Sequence, residues 1–172
     1  MIKIINEMSS MSNKLNINEV NAYINLMSNS SKKLIVGCAA GRMGYSLRAH
    51  IMRLSHIGYN AYFIGDTSLP RIDEDSIVII NSSSGETETN ILYAQQAKKA
   101  GSTIVTFTCN DNSTIGQLSD VIVKIPVIKT EQIMKSVYEQ FTFLLLDYLA
   151  QEIIRRGNLD INTISMNHSI LE

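Results

Sequence analysis

The sequence predicts an α/β protein, a three-layer αβα sandwich built on a five-stranded parallel sheet. Short apolar, β-branched runs recur at residues 34–36, 60–64, 76–80, 103–108 and 121–125. Segments with apolar residues at helical spacing separate them, so strands alternate with helices and return in one direction through right-handed crossovers. Glycine or serine turns follow the first and third runs directly, which places both turns at the carboxyl edge of one sheet.

The elements follow in order. Val20, Tyr23, Ile24 and Met27 recur as i, i+3, i+4, i+7 and mark an amphipathic helix before Ser30, with another expected over residues 2–11. The strand at 34–36 runs into Gly37-Cys38-Ala39-Ala40-Gly41-Arg42-Met43-Gly44, and the helix after it carries the stripe Met43, Leu47, Ile51, Leu54 and closes on Gly58. The strand at 60–64 precedes a loop, 65–75, that holds Pro70. The strand at 76–80 leads to a helix through Ile91, Ala94 and Ala97, ending near Gly101. Between the last two strands, residues 110–120 are polar and turn-rich, with room for a short helix near 115–118. Residues 131–156 read as one helix. Its apolar side chains, Val137, Phe141, Leu144, Leu145, Tyr148 and Leu149, cover more than half the circumference and call for burial on two sides. The tail, 157–172, is weakly patterned and carries His168.

A chain of 172 residues suits one domain spanning 1–172, and no repeat or linker divides it. With 15 basic against 16 acidic side chains, and basic residues scattered, a nucleic-acid partner is not expected. Cys38 and Cys109 are lone cysteines without metal or disulfide spacing, which fits a reducing cytoplasm and no metal. His50 and His56 lie six apart, on different faces of a helix, and make poor joint ligands. Charge interrupts the first apolar residues, and no later stretch stays apolar long enough to span a bilayer, so neither export nor membrane insertion is expected.

The chemistry concentrates in Ile77-Val78-Ile79-Ile80-Asn81-Ser82-Ser83-Ser84-Gly85-Glu86-Thr87-Glu88-Thr89-Asn90, a strand, a hydroxyl-rich turn and a helix start. Helix-start amides, the positive end of the helix dipole and the hydroxyls of Ser82, Ser83, Ser84 and Thr87 form a concavity suited to a phosphate dianion, and Gly85 lets the backbone approach. The residues alone also allow a plain N-cap in which Ser84 bonds the Thr87 amide. The first glycine turn, with Asp66 ending the next strand, invites a dinucleotide reading. Its spacing G-x-x-x-G-x-x-G at Gly37, Gly41 and Gly44 does not fit that role, and none of the seven tyrosines is followed four residues later by lysine.

Gly41-Arg42-Met43-Gly44, Ser82-Ser83-Ser84-Gly85-Glu86-Thr87, Ala97-Lys98-Lys99-Ala100-Gly101 and Ile115-Gly116-Gln117-Leu118-Ser119-Asp120 resemble the sugar isomerase (SIS) domain family. Gln132-Ile133-Met134, Tyr138-Glu139-Gln140 and the ending Asn167-His168-Ser169-Ile170-Leu171-Glu172 are similar to the 6-phospho-3-hexuloisomerases within it. Ala39, Met43 and Asn167 depart from that pattern, where a glycine, a serine and an arginine are usual.

The resemblance implies the SIS fold with a flavodoxin-like strand order. It also implies a cofactor-free isomerase that interconverts 3-hexulose 6-phosphate and fructose 6-phosphate through a cis-enediol. Ser82, Ser84 and Thr87 match phosphate-binding positions, helped by the backbone of Ser83 and Gly85, while Gly41 and Arg42 complete the anchor or polarise the carbonyl. Glu139 matches the base and His168 a terminal histidine for ring opening or proton shuttling, with Glu86 the other candidate base. It further implies a homo-oligomer, a dimer or tetramer with shared sites. The alternatives are an isomerase of another sugar phosphate, which the departures at Ala39, Met43 and Asn167 leave open, and a non-catalytic sugar-phosphate sensor, which would be expected to carry an added DNA-binding segment.

Overall fold

A computed structural model describes residues 1–31, 33–126 and 128–168. Five strands form one sheet: β1 (Leu34–Ala39), β2 (Asn60–Phe63), β3 (Ile77–Asn81), β4 (Thr103–Thr108) and β5 (Val121–Lys124). All pair in parallel, in the order β2-β1-β3-β4-β5. This is the flavodoxin-like order the resemblance implies. The register sets Val36 between Tyr62 and Val78 and Cys38 beside Ile80.

Successive strand residues face opposite sides, and the core divides accordingly. Ile35, Ile77, Ile79, Val105, Phe107 and Val123 pack into the larger cluster, beneath α1 (Ile2–Ser12), α2 (Ile17–Ser28), α3 (Arg42–Ile57) and α6 (Ser136–Gly157). Val36, Cys38, Val78, Ile80 and Ile104 pack into the smaller one, with Ala94 and Ala97 of α4 (Glu88–Lys99) and Ile115 of α5 (Thr114–Leu118). Every residue of β3 is buried, because this central strand has helices on both faces.

Gly58 closes α3 as the sequence expects. It takes φ +104°, and the Tyr59 N–H reaches back to the Leu54 carbonyl at 3.0 Å, a Schellman closure. The single helix expected over 131–156 is broken instead. Met134 sits at φ 51°, a left-handed conformation that cannot continue a right-handed helix, so a 3-10 turn (Ile133–Lys135) precedes α6. The weakly patterned tail contains a short helix, α7 (Ile161–Met166), and the expected terminal motif is described only as far as His168.

Candidate active site

The strand order reverses between β1 and β3: the chain leaves β1 toward β2 on one side and continues from β3 toward β5 on the other. At such a switch point the loops after the two adjacent strands part and open a crevice at the carboxyl edge. Gly41-Arg42 follows β1 there, and Ser82–Thr87 follows β3.

The serine loop is a turn, with α4 beginning beyond it. Ser84 Oγ accepts from the Glu86 N–H at 3.1 Å, and Thr87 is the N-cap of α4, which no side chain caps among the described residues. The cap reading, in which Ser84 would bond the Thr87 amide, is therefore not what the structure adopts. The first amides of α4 therefore have no side-chain partner among the described residues, at the positive end of a twelve-residue helix. Ser82 and Thr87 bring their hydroxyls within 3.4 Å of each other beside it. Gly85 makes the turn possible, since it takes φ +69° and a Cβ there would lie 1.9 Å from Ser113 Oγ. Its N–H is engaged with the Ser82 carbonyl at 3.1 Å, so its part is to shape the loop. Ser83 is held on all sides: its carbonyl accepts from the Cys109 N–H at 3.0 Å, its hydroxyl lies 3.6 Å from Cys109 Sγ, and its N–H donates to Met43 Sδ at 3.4 Å.

The second uncapped helix start belongs to α3. Gly41 is its N-cap at φ +59° and ψ −143°, backbone that only glycine adopts readily, and no side chain caps this helix among the described residues. Arg42, next in the chain, donates from Nε to Glu139 Oε2. The glutamate is largely buried at the start of α6 while the arginine is mostly exposed. The structure thus joins two residues the sequence holds far apart.

Beneath the loops runs a buried network that the sequence does not announce. The Tyr138 hydroxyl lies 2.7 Å from Asn81 Oδ1 and 2.9 Å from the Phe107 carbonyl, two acceptors that share its one proton. Asn81 Nδ2 in turn donates to Ser46 Oγ at 3.2 Å. Burial pushes the Tyr138 phenol well above its ordinary range, so it serves as a fixed donor that ties α6 to β3, next to Glu139. The only sequence signal was a polar residue, Asn81, ending an otherwise apolar strand.

Two openings result. A cleft of about 810 Å³ is lined by Ser83, Ser84 and Glu86 of the serine loop, by Met43, Cys109 and Tyr138, and by apolar residues including Met11, Ile128 and Val137. Arg42 and Glu139 line a separate, shallower groove with Ile4, Ile5, Phe143 and Leu144. Chain neighbours connect the two, because Met43 follows Arg42 and Tyr138 precedes Glu139. Glu86 is committed elsewhere: the Thr114 N–H donates to its Oε1 at 2.8 Å and holds its carboxyl below the usual range. That makes it a capping acid for α5 more than a base.

His168 stands apart from both. Its ring packs on His56 at a centroid distance of 4.9 Å, and Asn167 Nδ2 donates to the His56 carbonyl at 3.0 Å. His56 ends α3, whereas Arg42 begins it, about 21 Å away along the helix axis. No group of acidic, histidine or cysteine side chains among the described residues could hold a metal ion, and no described helix is long and apolar enough to cross a membrane.

A model of the SIS domain matches residues 26–150. The 3-hexulose-6-phosphate isomerase of Methanocaldococcus jannaschii is 31% identical over 152 residues, 88% of this chain and 83% of that protein. The 3-hexulose-6-phosphate isomerase of Bacillus subtilis is 34% identical over 151 residues, 83% of this chain and 82% of that protein. A solved structure from Methanococcus jannaschii, for which a molecular function of 3-hexulose-6-phosphate isomerase was inferred, aligns with a TM-score of 0.87 at 28% identity, over 98% of this chain and 97% of its own.

Proposed function

Because the chain belongs to the SIS domain family, we propose that it is an isomerase converting 3-hexulose 6-phosphate to fructose 6-phosphate. The observation that carries this reading is the uncapped start of α4 behind the serine loop, at the switch point where Arg42 also meets Glu139. The α4 amides and the hydroxyls of Ser82, Ser84 and Thr87 anchor the phosphate, with Ser83 and Gly85 shaping the cradle and Gly41 turning the chain so that Arg42 meets Glu139 beside it. Glu139 takes the proton from carbon 2, leaving a cis-enediol, and returns it to carbon 3, while the hydroxyl and carbonyl oxygens exchange roles. Arg42 stabilises the negative charge that develops on the carbonyl oxygen. This chemistry calls for no nucleotide and no metal.

Glu139 lines a groove separate from the serine-loop cleft, and that groove is bordered by exposed apolar side chains, so the working site includes a second copy. Phe143 is 50%, Leu144 56% and Ile5 57% exposed, an apolar face bordering the Arg42–Glu139 groove. A homo-oligomer, a dimer or tetramer, covers that face and brings His168 of a neighbouring copy to the substrate, where it opens the ring or shuttles protons. The lone cysteines suit a cytoplasmic enzyme.

A coupled assay tests the reading, with 3-hexulose 6-phosphate and a panel of pentose and hexose phosphates as substrates. Glu139→Gln keeps shape but cannot accept the proton, so turnover falls by about 100-fold or more while binding persists. Near-normal turnover in that variant, with the loss found in Glu86→Gln, would move the base to the serine loop.

A further inference from the structure

The contact between Met43 Sδ and the Ser83 amide has no part in the chemistry above, yet it occupies a donor of the phosphate cradle. Met43 stands at the second position of α3, half-buried, with its side chain against the larger core cluster and on the wall of the 810 Å³ cleft, alongside Ser83, Ser84 and Cys109. Its backbone is fixed from two sides, since its carbonyl accepts from Ser46 Oγ at 2.9 Å and from Asn81 Nδ2 at 3.4 Å. Its thioether, on an unbranched side chain, can leave the amide without disturbing the helix.

We infer that Met43 is a specificity-determining residue of this cleft: its sulfur competes with an incoming anion for the Ser83 N–H, and so weakens the hold on bare phosphate relative to a complete sugar phosphate. This rests on the reading of the serine loop as the phosphate anchor.

Thioether sulfur is a weak acceptor and a phosphate oxygen a charged, strong one, so the anion wins the amide but must first displace the sulfur. Inorganic phosphate meets that cost and gains only the anchor. A sugar phosphate also fills the cleft, where the displaced Met43 chain joins Met11, Ile128 and Val137 as an apolar wall against the carbon skeleton. The residue therefore lowers affinity for a phosphate that brings no sugar and leaves the sugar to supply the remainder.

The test is calorimetric titration of inorganic phosphate into the wild type, Met43→Leu, Met43→Ser and Ser84→Ala. Leucine keeps the volume and removes the acceptor, so Met43→Leu is expected to bind phosphate about two- to tenfold more tightly. Met43→Ser also removes the sulfur, with a smaller side chain whose hydroxyl can turn to the anion as a donor, so it too should bind phosphate more tightly, which guards against one variant packing poorly. Ser84→Ala should bind about tenfold or more weakly. If Ser84→Ala weakens phosphate while both Met43 variants match the wild type or bind more weakly, the anchor stands and the role of Met43 is refuted. If Ser84→Ala has no effect on phosphate, the anchor has been misplaced and the inference falls with it. In the wild type itself, the Ser83 amide proton resonance should move on adding phosphate as it exchanges sulfur for oxygen; an unmoved resonance at saturation overturns the inference without any variant.

Discussion

The two ends of α3 are built differently. At its amino end the helix starts from Gly41 without a side-chain cap, carries Arg42 against Glu139, and faces the serine loop and the equally uncapped start of α4. At its carboxyl end Gly58 turns the chain, the Gly58 N–H donates to Ser55 and the Tyr59 N–H to Leu54, and the Tyr59 hydroxyl is held by the Met27 carbonyl at 2.9 Å. One end leaves backbone donors unmatched and the other closes its acceptors. A chain that required only a stable helix would gain a few tenths of a kcal/mol or more from a side chain bonded to the free amides at either start. Leaving two adjacent starts uncapped gives up that stability at the edge where an anion would supply the missing partners, and nowhere else on α3.

His168 makes the comparison hardest to keep within one chain, because it belongs to the reaction by resemblance and to the closed end of α3 by position. The largest effect is therefore expected from mixing. A Glu139→Gln chain and a His168→Ala chain, each inactive alone, should regain about a quarter of wild-type turnover when dissociated together and reassembled, since half the dimers are mixed and each holds one intact site. Exchange is verified by mass. If verified hetero-oligomers stay as inactive as their parents, His168 works within its own chain or performs no chemistry, and the two ends of α3 do not cooperate across copies.

The sheet was legible because the strands are local signals: Ile77 to Ile80 and Ile104 to Phe107 are buried runs that no surface segment would carry. The serine loop was legible for the same reason, its hydroxyls lying side by side in the chain. What the pattern could not show were the long-range pairs. Arg42 and Glu139 are 97 residues apart, Tyr138 and Asn81 are 57 apart, and Tyr23 and His50 are 27 apart. Each residue has an ordinary local reading, as a helix charge, one tyrosine among seven, or a histidine on a helix face, and only packing makes the partner. Met134 escaped because nothing in its identity requires a left-handed backbone.

His50 supplies the next effect, and it is one of stability alone. It lies fully inside the α2–α3–α6 layer, 2.7 Å from the Tyr23 hydroxyl through Nε2, with Nδ1 buried near the Leu146 backbone. Desolvation lowers its pKa from 6.5 to about 4, while the Leu146 backbone and Asp147 oppose the shift. The unfolded chain binds this proton first as the pH falls. The contribution is therefore complete above pH 6.5 and is lost as pH drops toward about 4, the loss reaching about 2 kcal/mol by pH 5. Glu86 and Glu152, held below their usual 4.5, lose theirs only at lower pH. Denaturant unfolding at pH 7 and pH 5 should show this fall in the wild type and a flatter profile in His50→Gln. Equal slopes in both would remove His50 from the acid response of the core.

The smallest effect compares the two ends of α3 with one substitution. Gly41 and Gly58 both have positive φ, and a Cβ at either would meet nothing within 4 Å, so alanine at each position tests backbone strain without steric clash. Each change should cost about 1 kcal/mol, lowering the melting midpoint by about 3 °C. What should differ is the chemistry. Relieving strain at Gly41 swings the first turn of α3, moves Arg42 relative to Glu139, and shifts the uncapped amides away from the serine loop. Gly41→Ala is therefore expected to raise KM for the sugar phosphate severalfold, because binding falls steeply when charged donors leave their aim. Relieving strain at Gly58 loosens only a closed turn at the far edge of the sheet, so Gly58→Ala should melt earlier and turn over normally. Kinetics of both variants, well below their melting midpoints, decide the matter. If Gly58→Ala raises KM as much as Gly41→Ala, the two ends of the helix are not divided between binding and closure, and the uncapped starts lose their claim to be a device for holding the anion.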